Sequence, residues 1–590
     1  MYCPECGTRI DDDAVFCPEC GTRVADETAP EAGVAESPAA AAAPSVYALL
    51  LTHVAALADK LGATTSAVRV SLDAFVAGRR AQGIAYTLVD ADSYDTGFGT
   101  RSLRRGASWI EWADLLRDIH RASETGRMPR ADYLFIVGGD DIVPMPVIRH
   151  YLADDEDTTD TTIDTDVPYS YPYGGQTTQR AITTGEIYDY EPQYMVGRLP
   201  LPKDARLSYL TGYLERAIAL PYVKVRHAYS QCDPHWRKVT HTNVKLLREN
   251  GMLRMNAPEA TDETCYSGIY LTPEVEASTV DRYLTPETQL AFFNLHGSAA
   301  PGTPGFMGQS VEDPSDWRTA ILPAHLQQLT RPNIIVTEAC YGARFKGFDT
   351  QHSMVQAAMG GQTLLYMGSS RIAYGSVDSS FNQDETAKGS LADVLTSEFV
   401  SALMEGFTAG DALGKARITL LDNYETGPYE AVTLAEFNLY GDPTLQMAIA
   451  ARGKAASAAD PMPQPKRRTA PKRIIVTKAA SPLAAEKLRT DGINDSVLQA
   501  VRSAVDNQLR QIQESVAAEL YEYWGIRPRY LIGASRLQYT SGRKMIALQY
   551  EVDEELARTK AVANGMLTRV SVIASPQGAG RSIQAVYTTR

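Results

Sequence analysis

The sequence predicts an α/β protein with a mostly parallel sheet, preceded by a small cysteine-rich segment and followed by an α+β domain. Three observations support this organisation. Apolar strand-like runs alternate with helical patterns over about 46–450, four of the seven cysteines lie within the first twenty residues, and the patterning changes again after 473. Continuous apolar strands that alternate with helices are typical of a parallel sheet covered on both faces.

The composition is that of an acidic globular protein. The chain has 590 residues, 44% of them hydrophobic and 22% charged, and its net charge is −14. This balance excludes the disordered and fibrous classes. It also argues against attraction of the whole protein to nucleic acid or anionic lipid, so we expect neither as a partner. The opening residues lack a secretory signal pattern, and no apolar run is long enough to cross a bilayer, so we expect a cytoplasmic protein.

The first 24 residues have the spacing of a metal site. The motif CPECGTR occurs at 3–9 and again at 17–23, which creates two Cys-x-x-Cys pairs separated by ten residues. Two such pairs can complete a tetrahedral site with four sulfur ligands. We therefore expect one structural zinc ion in a zinc ribbon, bound by Cys3, Cys6, Cys17 and Cys20. The metal would supply most of the folding free energy of so short a segment.

The remaining chain divides at changes of composition. An Ala/Pro-rich linker at 25–45 separates the ribbon from the α/β domain at 46–450, and a basic, proline-rich linker at 451–472 precedes an α+β domain of unknown role at 473–590. The predicted helices are 46–61, 65–82, 109–123, 235–250, 322–329, 353–359, 390–405, 409–422 and 494–523. The predicted strands are 84–90, 132–137, 225–231, 290–295, 333–338, 363–367 and four runs near 529–540, 544–552, 567–574 and 583–588. The segment 151–200 is typical of a long insertion.

Two predicted strands each end in a reactive residue. LAFFNL leads to His296-Gly297, and NIIVTEA leads to Cys340-Tyr341-Gly342. The carboxyl ends of parallel strands meet at one edge of a sheet, where functional groups gather. A cysteine thiol needs a partner such as imidazole to form a thiolate at neutral pH. The sequence thus predicts Cys340 and His296 as a catalytic pair, and the backbone N–H of Gly297 as an approachable oxyanion donor.

These residues also carry a resemblance. His296-Gly297, followed 44 residues later by Glu338-Ala339-Cys340-Tyr341-Gly342, resembles the caspase-like clan of cysteine peptidases. Four further motifs are similar to its gingipain branch: FIVGGDDIVP (135–144), YMVGRLPLP (194–202), LLYMGSSR (364–371) and FNLYGDPTLQM (437–447). The resemblance implies a caspase-like fold and hydrolysis of peptide bonds through an acyl-enzyme. It also implies that Cys340 is the nucleophile, that His296 transfers the proton, and that the N–H groups of Gly297 and Cys340 form the oxyanion hole.

The predicted substrate pocket is acidic. Glu338 lies two residues before Cys340, so an extended strand would place both side chains on one side. An acid there would favour Arg or Lys at P1, the residue whose carbonyl is attacked. Asp140 and Asp141 follow another strand end, and either is a candidate second acid, with Asp141 nominated for the substrate site. The segment 363–371 resembles the strand that walls the substrate cleft, which nominates Ser369. The alternative for Glu338 is a structural ion pair with an arginine.

Other possibilities stay open at this point. The seven acids from Asp154 to Asp166 indicate a solvated acidic loop. The more specific alternative is a calcium-binding loop. A caspase-like scaffold without activity could act through partner proteins that bind the ribbon or the C-terminal domain. A nucleic-acid-associated protein is the third class, which the net acidity disfavours. If the pocket selects basic residues, the basic linker offers Arg467 and Arg468 as sites of self-cleavage.

Overall fold

The computed structural model describes most of the chain between residues 46 and 449 and four strands beyond it. The described residues are 46–153, 158–183, 186–189, 192–220, 222–253, 261, 264–299, 305–313, 315–375, 390–423, 428–449, 528–538, 544–552, 569–574 and 581–586. The ribbon cysteines, both predicted linkers and the predicted helix at 494–523 lie outside the described residues. Two compact units are distinguished, Met1–Thr469 and Ala470–Arg590.

The strands of the first unit fall into one large sheet and several small ones. In chain order they are β1 (Val46–Thr52), β2 (Ile84–Asp90), β3 (Tyr94–Asp95), β4 (Thr100–Arg101), β5 (Tyr133–Val137), β6 (Val147–Arg149), β7 (Thr162–Asp164), β8 (Met195–Leu199), β9 (Tyr222–Val225), β10 (Ala228–Cys232), β11 (Cys265–Tyr266), β12 (Ile269–Leu271), β13 (Leu290–Asn294), β14 (His296–Gly297), β15 (Phe306–Gln309), β16 (Trp317–Ile321), β17 (Asn333–Thr337), β18 (Thr363–Ser369), β19 (Phe437–Gly441) and β20 (Gln446–Ile449).

The α-helices of the described residues all belong to this unit. They are α1 (Val54–Leu61), α2 (Thr65–Ala81), α3 (Trp109–Glu124), α4 (Gly175–Thr183), α5 (Leu207–Ala219), α6 (Arg237–Asn243), α7 (Lys245–Glu249), α8 (Pro323–Gln327), α9 (Met354–Gly360), α10 (Ala392–Met404), α11 (Ala409–Asn423) and α12 (Pro428–Glu436). Within the parts of the chain that the structure describes, none of the helices is long and apolar enough to cross a membrane.

The large sheet has eleven strands in the order β11-β12-β10-β13-β17-β18-β19-β8-β5-β1-β2. Two groups of neighbouring strands pair in parallel: the first is β12, β10, β13, β17 and β18, and the second is β8, β5, β1 and β2. Strand β19 runs antiparallel to β18. Every residue of β13 and β17 is buried, and helices pack against the sheet, α9 on β18 and α2 on β2. The predicted α/β class with a mostly parallel sheet flanked by helices is confirmed.

The predicted helix at 46–61 is wrong over its first half. Residues 46–52 form β1, which pairs with both β2 and β5 inside the sheet. The run VYALLLT is continuously apolar, and a short apolar run does not distinguish a buried strand from a buried helix by its periodicity. The helix begins only after His53, whose side chain accepts a hydrogen bond from the N–H of Ala56. Strands β8 and β19, both in the large sheet, were not predicted as strands.

The second unit contains a four-stranded antiparallel sheet. Its strands are β21 (Pro528–Gln538), β22 (Lys544–Val552), β23 (Arg569–Ala574) and β24 (Arg581–Val586), and each pairs with the next along the chain. The four strand predictions for this region are confirmed. The α+β assignment of 473–590 stays a prediction, since the helix on which it depends lies outside the described residues.

Candidate active site

The two predicted catalytic residues follow neighbouring strands. Strand β13 pairs with β17 in parallel, with Phe293 opposite Thr337, and His296 and Cys340 each come three residues after these positions. The backbones then touch beyond the strand ends, because a Cβ added at Gly297 would lie 1.7 Å from the carbonyl oxygen of Cys340. Only glycine permits this approach. The fold therefore brings the chain at His296 against the chain at Cys340.

The Cys340 thiol is covered by the segment that follows β18. Its Sγ atom lies 3.8 Å from the carbonyl oxygen of Ala373, which is its hydrogen-bond partner among the described residues. Two backbone hydrogen bonds hold this segment beside the loop after Cys340. The N–H of Tyr341 donates to the carbonyl oxygen of Arg371 at 2.7 Å, and the N–H of Ala343 donates to that of Ser369 at 2.8 Å. Burial raises the pKa of the Cys340 thiol to about 11. The thiol is therefore protonated at neutral pH in this arrangement.

The residue after the cysteine has an unusual backbone conformation. Tyr341 has φ 55°, in the left-handed region that costs a non-glycine residue about 1–3 kcal/mol and is found mostly at functional sites. Asp160 stabilises the turn, because one carboxylate oxygen accepts a hydrogen bond from the Tyr341 hydroxyl at 2.9 Å and the other accepts from the N–H of Ile372 at 3.1 Å. Asp160 thus links the loop that carries the thiol to the segment that covers it.

A buried carboxylate, absent from the sequence predictions, contacts the imidazole of His296. Asp233 directly follows β10, the neighbour of β13, and one of its oxygens lies 3.4 Å from His296 Nε2. That oxygen also accepts the Gln309 N–H at 2.6 Å, while the other accepts both the N–H and the ring nitrogen of His235. Burial alone would raise the pKa of Asp233, but the hydrogen bonds from His296, Gln309 and His235 outweigh it and lower the pKa below its ordinary value. The Asp233 carboxylate therefore keeps its negative charge beside the imidazole of His296.

Two tryptophan rings flank the same imidazole. The ring centroid of Trp236 lies 4.4 Å from that of His296, and the centroid of Trp317 lies 4.7 Å away. Trp236 follows Asp233 by three residues, and Trp317 opens β16. The imidazole is thus confined between two aromatic rings and one carboxylate, and 27% of its side chain is exposed.

The predicted pocket acid Glu338 is buried among polar partners. Its carboxyl accepts hydrogen bonds from the Asn243 amide at 3.0 Å and the Thr396 hydroxyl at 2.6 Å. Burial, with a further contribution from Asp393, raises the pKa of Glu338 well above its ordinary value. These described contacts include no structural arginine, the alternative raised from the sequence. The role of Glu338 in substrate binding stays a prediction.

A second buried carboxyl lies near enough to the thiol to interact with it electrostatically. Glu436 is fully buried, and its backbone oxygen accepts the N–H of Ser370 at 3.0 Å. The Ser369 hydroxyl donates to the carbonyl oxygen of Arg371 at 2.9 Å, and it also interacts with the Glu436 carboxyl. Burial raises the pKa of Glu436 well above its ordinary value. The negative charge of Asp160, and that of Glu436 when it is ionised, raise the pKa of the Cys340 thiol further.

The other nominated residues have different environments. The Ser369 side chain is buried and shapes the turn at 369–371, and its predicted substrate contact stays a prediction. Asp141 is not brought to the thiol. Three strands separate β5 from β17, which corresponds to about 19 Å at ordinary strand spacing, and its carboxylate instead pairs with Lys60 at 2.6 Å. The sequence alone could not give this strand order.

The acidic segment gives no support to calcium. Of its acids within the described residues, Asp164 pairs with Lys346 at 3.0 Å and Arg371 at 2.7 Å, and Asp166 pairs with the buried Arg198 at 2.6 Å. Basic side chains therefore occupy oxygens of Asp164 and Asp166, while those of Asp160 accept hydrogen bonds from Tyr341 and Ile372. No cluster of candidate metal ligands occurs in the described ranges, which leave out the ribbon cysteines.

Only part of this site could have been found in the sequence. Asp233 obeys the same rule that nominated His296 and Cys340, because it follows the carboxyl end of a parallel strand. The signal was weak, since the strand AYSQC contains the polar residues Ser230 and Gln231. No sequence signal marks Glu436 or the two tryptophans, which approach the site through long-range packing.

Comparisons with known proteins agree with the resemblance seen in the sequence. Residues 2–24 match the profile of a zinc-ribbon domain, and residues 312–448 match that of Peptidase family C25. No curated protein sequence matches the chain.

Similar solved structures include peptidases. The Arg-specific cysteine proteinase gingipain R is 12% identical, with 69% of this chain and 79% of that chain covered and a TM-score of 0.43. The Porphyromonas gingivalis RgpB pro- and mature domains are 11% identical, with 92% and 99% covered and a TM-score of 0.42. The Saccharomyces cerevisiae separase–securin complex is 11% identical, with 54% and 16% covered and a TM-score of 0.29.

Proposed function

We propose that this cysteine-type peptidase, whose residues 312–448 match Peptidase family C25, is an endopeptidase that acts through an acyl-enzyme on Cys340 and prefers Arg or Lys at P1. One observation carries the assignment of the residues. The backbone of Gly297 lies against that of Cys340, so a Cβ at 297 would come within 1.7 Å of the Cys340 carbonyl oxygen. This contact keeps the thiol-bearing and imidazole-bearing strand ends together.

The reaction needs four groups of this chain. The Cys340 thiol gives its proton to His296, and the sulfur attacks the peptide carbonyl carbon while the N–H groups of Gly297 and Cys340 hydrogen-bond to the developing oxyanion. The imidazolium returns the proton to the leaving amine as the C–N bond breaks. Water then cleaves the thioester, releases the carboxylic acid product and restores the thiol.

Asp233 is proposed to orient the imidazole. Its carboxylate contacts Nε2 at 3.4 Å, which leaves Nδ1 for the thiol. A carboxylate in this position fixes the tautomer and stabilises the imidazolium that forms during the reaction. Replacing Asp233 by Asn should therefore lower kcat more than it changes KM.

The buried thiol implies a resting state that must rearrange. Sγ is hydrogen-bonded to Ala373 O, and its pKa of about 11 keeps it protonated. Proton transfer to His296 requires rotation about the Cα–Cβ bond of Cys340, which breaks the contact with Ala373. Catalytic hydrogen bonds commonly tighten only when substrate is bound, so we propose that substrate bound along 369–373 accompanies this rotation.

The preference for Arg or Lys rests on buried acids near the thiol. Glu338 is the acid nominated by the sequence, but one of its carboxyl oxygens, Oε1, already accepts hydrogen bonds from two donors. Glu436 is buried beside the Ser369 hydroxyl and interacts electrostatically with Cys340. A cationic P1 side chain would ionise such a carboxyl and form a charge-assisted hydrogen bond with it.

The activity is tested with fluorogenic peptides carrying Arg, Lys, Asn or Asp at P1. Cys340→Ala should abolish hydrolysis and His296→Ala should lower it by about 10⁴-fold or more, since the pair acts as a unit. Cys265→Ala is the matched control, because Cys265 is a half-buried free cysteine outside the site. Wild-type turnover in Cys340→Ala would refute the mechanism, and an intact wild-type protein that cleaves none of the peptides would favour the inactive scaffold.

The P1 preference is tested separately. Glu338→Gln and Glu436→Gln are compared on the Arg and Asn peptides. The proposal expects the Arg-over-Asn ratio to fall in at least one variant, and the one that falls identifies the acid. An unchanged ratio in both variants would place the P1 acid elsewhere.

The setting and partners belong to the same proposal. A reducing compartment keeps four ribbon thiolates and Cys340 from forming disulfides, so we place the activity in the cytoplasm. Protein or peptide substrates follow from the peptidase family. The ribbon and the C-terminal domain are proposed as sites for partner proteins.

A further inference from the structure

The imidazole of His296 has an aromatic neighbour on the solvent side that protein packing does not explain. Trp317 is 45% exposed, yet its ring centroid lies 4.7 Å from that of His296. Tryptophan is the largest apolar side chain, and it is ordinarily highly buried. An exposed indole beside the proposed proton donor therefore has apolar surface available for a bound molecule.

The position of this ring is well fixed by the fold. Gln309 lies opposite Trp317 in the β15–β16 pair, and its N–H donates to Asp233 at 2.6 Å. The half-buried Trp236 also contacts the imidazole, with its ring centroid 4.4 Å from that of His296. The two indoles thus stand on elements anchored to the same carboxylate that contacts His296.

The basic residue beside Trp317 is outnumbered by acids. Arg318, the next residue, pairs with Asp316 at 2.5 Å, and its Nη1 lies 3.7 Å from Glu276. The basic residue of β16, Arg318, is thus already paired, so the features left for a ligand beside the imidazole are the exposed indole and a small excess of negative charge.

The chemistry of the reaction says which part of a substrate lies here. In the proposed mechanism His296 returns a proton to the nitrogen of the leaving amine, so this nitrogen must come within hydrogen-bond distance of the imidazole. The residue that carries this nitrogen is P1′, the first residue after the scissile bond. Its side chain is therefore next to whatever flanks the imidazole.

We propose that Trp236 and Trp317 form the P1′ subsite and that it selects large apolar or aromatic side chains. The inference rests on the proposed function, and it adds a second specificity element on the opposite side of the scissile bond from the P1 acids. Indole rings bind apolar and aromatic groups through offset or edge-to-face contacts. The enzyme would thus prefer substrates with a basic residue at P1 and a large apolar residue at P1′.

The test uses internally quenched peptides that share one sequence up to Arg at P1 and differ only at P1′, with Phe, Leu, Gly or Asp. Wild-type protein should cleave the Phe peptide with a kcat/KM at least about tenfold above the Gly peptide, in line with the discrimination of apolar pockets. Trp317→Ala should reduce the Phe-to-Gly ratio to about one, and Trp317→Phe should restore most of it. Phe98→Ala is the matched control, because Phe98 is an equally exposed aromatic residue, 47% exposed, between β3 and β4.

The outcomes separate the subsite from the activity. Cleavage with a Phe-to-Gly ratio near one in the wild type overturns the subsite and leaves the peptidase intact. An equal loss on all four peptides in Trp317→Ala, with unchanged thermal unfolding, also overturns it, because the ring then only positions the imidazole. Absence of Cys340-dependent cleavage of every peptide refutes the proposed function itself.

Discussion

Replacing Gly297 by alanine perturbs the contact that holds the two halves of the site together. The added Cβ would lie 1.7 Å from the carbonyl oxygen of Cys340 and 2.8 Å from its carbonyl carbon. A close C–H···O contact is about 3.3 Å long, so the strand ends must separate by roughly 1.6 Å. A misplacement of about 1 Å between reacting groups can lower a rate by about 10²-fold. We therefore expect kcat/KM on an Arg peptide to fall at least 100-fold, which corresponds to about 2.7 kcal/mol of transition-state stabilisation.

The assay compares Gly297→Ala with Gly212→Ala in both hydrolysis and urea unfolding. Gly212 lies inside α5, and its added Cβ would come no nearer than 3.3 Å, to the flexible end of Arg216. That variant should keep wild-type activity and be as stable or slightly more stable, since alanine is the better helix former. If Gly297→Ala kept activity within threefold of the wild type, the close approach would have no role in catalysis.

Three further predictions follow from the ribbon, the buried acids and the basic linker. Metal analysis should find about one zinc per chain, and deleting 1–44 should leave peptide hydrolysis unchanged; a zinc-free, fully active protein would remove the metal site. Because burial raises the pKa of Glu436 above its ordinary 4.5, the folded state retains a proton that the unfolded chain loses, so stability falls as pH rises from about 4.5 towards the folded pKa. Glu436→Gln should thus raise the free energy of unfolding by about 1–3 kcal/mol at pH 8 and by less at pH 4, and urea unfolding with the larger gain at pH 4 would contradict this. Intact mass over time should reveal cleavage after Arg467 or Arg468 in the wild type and none in Cys340→Ala; a wild-type chain that stays whole while it cleaves added Arg peptides would refute self-cleavage.

The parts of the fold that the sequence predicted well are those with local signals. Strands β13 and β17 are short apolar runs, and helix α2 has an apolar face with Thr64 as its N-cap. The first strand was misread as helix because its seven residues are apolar without a period, and only pairing with two neighbours decides their conformation. Strand β19, antiparallel in a mostly parallel sheet, likewise depends on its partner β18.

The residues of the site also differ in whether a local sequence signal marks them. His296 and Cys340 could be nominated because each ends an apolar strand and is next to a glycine or a tyrosine–glycine turn. Asp141 obeyed the same rule, but its carboxylate pairs with Lys60, and the distance between two strand ends depends on strand order, which is a property of the whole sheet. The surroundings of His296 come from two separate segments, one with Asp233 and Trp236 and the other with Trp317, and no local pattern connects them.

The central claim is that Cys340 becomes a nucleophile through His296. The most direct measurement is mass spectrometry of the protein after reaction with a peptidyl acyloxymethyl ketone that carries Arg at P1, followed by peptide mapping. A single adduct on Cys340 is predicted, with Cys232 and Cys265 unmodified and the rate of labelling strongly reduced in His296→Ala at the same pH. Labelling of Cys265 instead, or equal labelling rates in the wild type and His296→Ala, would contradict the account.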